Sequence, residues 1–297
     1  MRVFLYFMVA VLLFSCGGAP TKKKKSMDFD YKEKPKVSKR YNALNDRYAY
    51  SKGNKDALIQ ESMARAQSKI LRRVAGDDDP ISRLIGNCYK KDFNEAFEVA
   101  DKYYESYKKN PAYWNQIGSC YLLRGEQKKA LIYYNTARSL NPRYAPAINN
   151  LGVIYERRGE DEQALIKFKK AMRLNYAANT PRFNQANLYL KYGLHQKACP
   201  LFLGLDKEAP GDPDVVNALG VCNLLKGRYK SAAIKFAELD RDHFETPYIG
   251  INYALALQLS GKRSEAEDII DDIDSGKLGN LKRYHQMVKN YISRGRR

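Results

Sequence analysis

Three columns of residues recur at a fixed interval of 34 through the middle of this chain. Gly125, Gly159, Gly193, Gly227 and Gly261 form one, Ala130, Ala164, Ala198, Ala232 and Ala266 a second, and the large residues Tyr134, Phe168, Phe202, Phe236 and Ile270 a third. Three columns held in register over five copies demand a repeated unit, and the interval accommodates two helices of roughly 13 residues with their turns. Glycine suits a left-handed turn between the helices. Alanine early in the second helix lets the two backbones approach. The large residue four positions later lies one turn on, on the same face, and is expected to fill the gap between neighbouring units. No such unit can bury its apolar stripe alone, so the units must stack.

These residue types at this period resemble tetratricopeptide repeats. The first full copy carries Trp114, Ile117, Gly118, Tyr121, Gly125, Ala130, Tyr134, Ala137 and Pro142. The third departs at Arg182 and Gln185, where large apolar residues are expected, and has Pro200 inside its second helix, which should kink it. A degenerate copy precedes the five, with Ile85, Gly86, Tyr89, Phe93, Ala96 and then Pro111; its turn reads as about two residues short and its second helix as about three long. The resemblance implies an all-α, right-handed superhelical α-solenoid over residues 81–280. Capping helices are expected over 56–76, where Ile59, Met63, Ala66, Ile70 and Val74 recur at helical spacing, and over the basic C-terminal segment 281–297.

The same resemblance puts the first helices on a concave face. Its expected protein-binding positions are Asn115, Asn149, Asn150, Val153, Phe183, Asn184, Asn187, Leu190, Asn217 and Leu224. Asparagine offers donors and an acceptor to the backbone of an extended peptide, and the apolar members offer side-chain pockets. The two-lysine carboxylate clamp of chaperone-binding relatives is not reproduced, since Asn115, Asn149 and Asn217 stand where its first lysine belongs.

The N-terminus carries a different signal. Arg2 precedes an apolar run from Val3 to Phe14, too short to span a bilayer as a helix but suited to a secretory signal over residues 1–15. Leu13, Ser15 and Cys16 resemble the lipobox of bacterial lipoproteins. That resemblance implies acylation of Cys16, palmitate included, and, with Gly17 following, the periplasmic face of the outer membrane. Residues 16–55 then read as a flexible basic tether spanning roughly 35 Å, with Lys22, Lys23, Lys24 and Lys25 close to the anionic membrane surface.

The formal charge of +19 is unevenly placed. Residues 17–55 hold twelve Lys/Arg against four acids, and residues 281–297 hold six against none, so the repeats themselves are nearly neutral. Basic tails on a secreted chain point to a membrane or envelope polyanion, and nucleic acid is not expected as a partner. Cys88, Cys120 and Cys222 fall just before, or two before, the same repeat landmark and are expected as buried thiols acting as small hydrophobes, with a Cys88–Cys120 bridge as the alternative. No phosphate-binding, nucleophile-elbow or zinc-protease motif occurs. His195, His243 and His285 lie too far apart in sequence to read as a ligand set. The expectation is a non-enzyme with no cofactor, no metal and no small-molecule substrate.

Joining a lipobox to about six such repeats resembles the architecture of the pilotin lipoproteins of type IV pili and gliding systems. The expected function is a lipid-anchored protein–protein interaction scaffold assisting assembly of an envelope complex. The alternative is an adaptor linking the outer membrane to peptidoglycan or to an energy-transducing complex.

Overall fold

The computed structural model describes residues 72, 75, 76, 78–175, 178–208 and 210–294. The signal, Cys16, the tether with Lys22 to Lys25, and all but three positions of the helix expected over 56–76 lie outside the described residues. Among those described there are thirteen α-helices and no strand. The chain divides into two compact units between Arg182 and Phe183.

The first unit holds α1 (Pro80–Tyr89), α2 (Phe93–Tyr107), α3 (Pro111–Leu123), α4 (Gln127–Leu140), α5 (Ala145–Arg157) and α6 (Asp161–Leu174), and takes in the start of α7 (Asn179–Lys191). The second holds the rest of α7, then α8 (His195–Glu208), α9 (Pro213–Leu225), α10 (Tyr229–Phe236), α11 (Pro247–Leu259), α12 (Arg263–Asp271) and α13 (Lys282–Arg294). The first helices of repeats begin with punctuation the sequence supplies. Asp79 accepts from the Ser82 amide at 2.7 Å, and Asn110 accepts from the Ala112 amide at 2.8 Å. Asp212 accepts from Asp214 and Val215. In each case proline follows, its fixed φ and missing N–H suited to the first helical position.

The glycine column does what its chemistry requires: φ is 89°, 75°, 69°, 72° and 90° at Gly125, Gly159, Gly193, Gly227 and Gly261. The degenerate copy corrects the expectation of a shortened turn. Lys91, 34 residues before Gly125, adopts φ 66° and makes the same turn, so α1 and α2 keep the full period. That copy looked degenerate because its bulk changes sides. Leu84 stands in the column of Gly118, and Ala100 in the column of Tyr134, both buried.

The aromatic column packs against the next unit as expected, Tyr134 clustering with Leu151 and Ile154 and Phe236 meeting Tyr253 with ring centroids 5.7 Å apart. It also packs within its own hairpin: a Cβ placed on Gly118 would lie 2.7 Å from the Tyr134 ring, and one on Gly152 would lie 2.6 Å from Phe168; Gly220 meets Phe236 closer still. Each of these rings seats on the glycine of its own hairpin, where the first helix presents no side chain. Tyr134 is the one with a hydroxyl to satisfy. Ser119 Oγ donates to the Asn115 carbonyl at 3.1 Å, and the Tyr134 hydroxyl, 3.2 Å away, donates to Ser119.

Two disulfides replace the expected free thiols. Cys88 of α1 pairs with Cys120 of α3, Cα atoms 5.1 Å apart, and Cys199 of α8 pairs with Cys222 of α9 at 5.9 Å. Stacking brings helices of successive repeats within the reach that a disulfide needs. Helix α8 runs unbroken through Pro200 as one element. Proline there lies in the second turn, where it removes one intrahelical hydrogen bond without ending the helix. In the second unit α13 lays Tyr284, Val288 and Ile292 against the core, and Lys289 pairs with Asp271 of α12 at 2.6 Å.

Candidate functional site

The first helices of the repeats carry the predicted binding positions, and each unit presents its own set. In the first unit, Asn115 lies on α3, and Asn149, Asn150 and Val153 lie on α5. The asparagines are buried, with Asn115 wholly so, while Val153 is half-buried. Nδ2 of Asn150 donates to Oδ1 of Asn115 at 3.0 Å, and Nδ2 of Asn149 donates to Oδ1 of Asn150 at 3.2 Å. The chain of amides ends in an unused donor: Nδ2 of Asn115 is buried and has no hydrogen-bond partner.

In the second unit, Phe183, Asn184, Asn187 and Leu190 lie on α7, and Asn217 and Leu224 on α9. Leu190 and Leu224 are part of the core; Phe183 and Asn187 are half-buried. Phe183 meets Phe202 edge-on, ring centroids 5.7 Å apart. Gln185, standing where an apolar residue is usual, donates to the Tyr189 hydroxyl at 2.9 Å. Nδ2 of Asn252, on α11, donates to Oδ1 of Asn217 at 2.9 Å, and the Tyr284 hydroxyl donates to Oδ1 of Asn252 at 3.3 Å.

The asparagines therefore speak first to one another, across successive repeats. The donor lies 35 residues beyond its acceptor in both pairs, one position out of the 34-residue column. Buried amides that satisfy each other in this way fix the register of adjacent first helices. Of the predicted positions, Val153 in the first unit is half-buried, as are Phe183 and Asn187 in the second, while Asn115 and its unused donor are enclosed.

Sequence reasoning named Trp114 and Tyr121 as repeat landmarks but missed what joins them. Tyr133 stacks on Tyr121 at 5.1 Å and on Trp114 at 5.8 Å, and Phe97 adds a fourth ring 4.7 Å from Tyr121. The Arg124 guanidinium sits over both Phe97 and Tyr121, 4.7 and 4.9 Å from the ring centres. The signal was Tyr133, next to the large-residue column and turned about 100° from it around the helix. Burial pushes the Tyr133 phenol up to about 12, the neighbouring Tyr121 adding to the effect.

Among the described residues no group of His, Cys, Asp and Glu side chains is arranged to hold a metal ion, and no helix is long and apolar enough to cross a membrane. His195 Nδ1 faces the Gly193 carbonyl at 3.2 Å within its own repeat, and His285 Nε2 of α13 faces the Ile270 carbonyl of α12 at 3.1 Å.

The family described as tetratricopeptide repeat matches residues 147–182, which are α5, α6 and the first residues of α7. No curated protein matches the sequence. Solved structures do match. The Cut9–Hcn1 hetero-tetramer of the APC/C aligns with TM-score 0.62 and 15% identity over 80% of this chain, which spans only 46% of that one. The pilF protein of Pseudomonas aeruginosa aligns with TM-score 0.56 and 15% identity, over 77% of this chain and 99% of that one. PilW, a type IV pilus biogenesis factor, aligns with TM-score 0.53 and 18% identity, over 74% of this chain and 97% of that one. The fold held in common is the all-α tetratricopeptide-repeat solenoid.

Proposed function

We propose that this protein is a lipid-anchored scaffold of a bacterial envelope, holding a polypeptide partner on the first-helix face while a larger assembly forms. The observation that carries the reading is a first-helix face whose buried asparagines are spent on one another, leaving the half-buried Val153 of α5 as an apolar position beside them. Covering Val153 with a bound segment would remove further apolar surface from water.

Two further observations favour the envelope setting. Disulfides persist in oxidising compartments such as the periplasm, and this chain has two. The likeness to pilF and PilW extends over nearly the full length of those chains, and PilW is named as a type IV pilus biogenesis factor. The partner class proposed is thus a component of a pilus-type or secretin-type machine, and Cys16 is the proposed anchor.

The test is crosslinked capture from envelopes with the intact protein, repeated with Val153→Asp for the first unit and, separately, with Asn187→Ala for the second. Each position is half-buried on a first helix of its own unit, so the fold should tolerate change there. Capture of one partner that weakens in these variants supports the reading, and an unchanged partner set rejects the face. Loss of metabolic lipid label in Cys16→Ser reports the anchor separately. If trimming residues 281–297 releases the protein from peptidoglycan while capture is unaffected, the adaptor reading takes its place.

A further inference from the structure

The second helices of the first unit present a face that a groove on the first helices leaves unused. Ile132 on α4 is 55% exposed and Ile166 on α6 is 46% exposed. They are 34 residues apart, so the repeat itself sets the two isoleucines at equivalent outward positions on neighbouring second helices. Around them Lys128, Arg138, Lys169, Lys170 and Arg173 outnumber Glu162, the one exposed acid on the two helices, and form no ion pair among the described contacts, whereas Lys129 is held by Glu126 at 2.6 Å. The cations of the two helices also feel each other. The half-buried ammonium of Lys167 is shifted below its ordinary range, first by burial and then by the charges of Arg138 and Lys170.

Unpaired like charges set around two exposed aliphatic side chains are unfavourable in water. Two features must be answered together: the charge asks for an anion, and the isoleucines ask for an apolar medium just beneath it. An anionic bilayer surface offers both, with headgroups for the cations and the acyl boundary for the branched side chains. An acidic polypeptide would answer the charge and leave the isoleucines wet.

We propose that the outer face of α4 and α6, with Ile132 and Ile166 as its apolar contacts and Lys128, Arg138, Lys169, Lys170 and Arg173 as its cations, rests on an anionic lipid surface. The inference deepens the anchored reading, since an acylated Cys16 would keep such a surface within reach. It does not depend on that anchor, because the recognition lies in the repeats.

The experiment uses the full chain carrying Cys16→Ser, so that no acyl chain takes part. An environment-sensitive fluorophore is attached at Ile166→Cys, the other cysteines being disulfide-bonded. Vesicles of phosphatidylglycerol in phosphatidylcholine are compared with vesicles of phosphatidylcholine alone. A local label is read rather than total binding, because the basic tether and the apolar N-terminus could hold the chain to a vesicle by themselves. The expected result is a blue shift and loss of iodide quenching with the anionic vesicles only. Both should be abolished by Lys169→Glu with Lys170→Glu. A label that stays quenchable with both vesicle types overturns the proposal, as does protection by soluble poly-glutamate but not by anionic vesicles. Failure of lipid labelling at Cys16 would sink the anchor while leaving this result standing.

Discussion

The side-chain amide of Asn252 donates to the side-chain carbonyl of Asn217 at 2.9 Å, from one first helix to the next, with both residues buried. The same bond joins Asn150 to Asn115. Replacing Asn217 with alanine removes the acceptor and leaves Asn252 Nδ2 facing apolar neighbours. The expected destabilisation is about 1–3 kcal/mol, measured as a lower urea midpoint. Adding Asn252→Ala should cost less than the sum of the two single changes, because the stranded donor goes with it.

Gly220 is committed to the Phe236 ring beneath it. A methyl group there forces the ring to move within a closed core, so Gly220→Ala is expected to destabilise by about 1–3 kcal/mol. Combining it with Phe236→Leu should recover part of the loss. The native pair Leu84 and Ala100 shows that the bulk can be supplied from the other helix. Thermal midpoints of the four members of this cycle would decide it, and a strictly additive outcome would count against the contact.

Lys91 makes a glycine's turn with a lysine side chain, at φ 66°. Left-handed backbone is unfavourable for a non-glycine residue by roughly 1 kcal/mol. Lys91→Gly should therefore raise stability by something near that amount, unlike most glycine substitutions. The corresponding change in the opposite sense, Gly227→Lys, should lower it. Denaturant unfolding of the two variants checks the sign.

Alkaline pH should loosen the first unit by a traceable route. Burial pushes the Tyr113 phenol up to about 12, with the Asp101 charge next in effect, and its hydroxyl donates to the Ala100 carbonyl at 2.8 Å. In the unfolded chain the same phenol ionises near 10. Its folded pKa is the higher one, so its contribution is complete below about pH 10 and is lost as pH climbs towards about 12. Tyr113→Phe should flatten the fall of the urea midpoint across that window, and an equally steep fall would exclude this tyrosine as a source.

What the sequence made legible is what stacking alone dictates. The turn glycines, the alanines and the large residues of the five full copies all stand where the turn and the packing of a hairpin favour them. The first copy was harder to read, since Leu84 and Ala100 exchange the sizes of Gly118 and Tyr134, and a search of single columns sees two mismatches instead of one conserved sum. The Cys88–Cys120 bridge stood in the sequence only as the alternative, and the Cys199–Cys222 pair went unread because its separation of 23 is no multiple of the period and it joins a second helix to the next first helix. The candidate site was legible only in part. Asn115, Asn149 and Asn217 could be placed on the first helices from their column. Their partners Asn150 and Asn252 sit one position over, so the amide pairs emerge only when the helices are set side by side.

A stack of hairpins ordinarily peels from its ends, where the outermost member has a single neighbour to hold it. Here the outermost full-period hairpin of the first unit is bolted to the next by Cys88 and Cys120, and the second unit has its own bolt at Cys199 and Cys222. Thiol chemistry, rather than apolar contact alone, then decides how far each row can unzip. A molecule synthesised where thiols stay reduced would be the same in sequence and looser at those two joints.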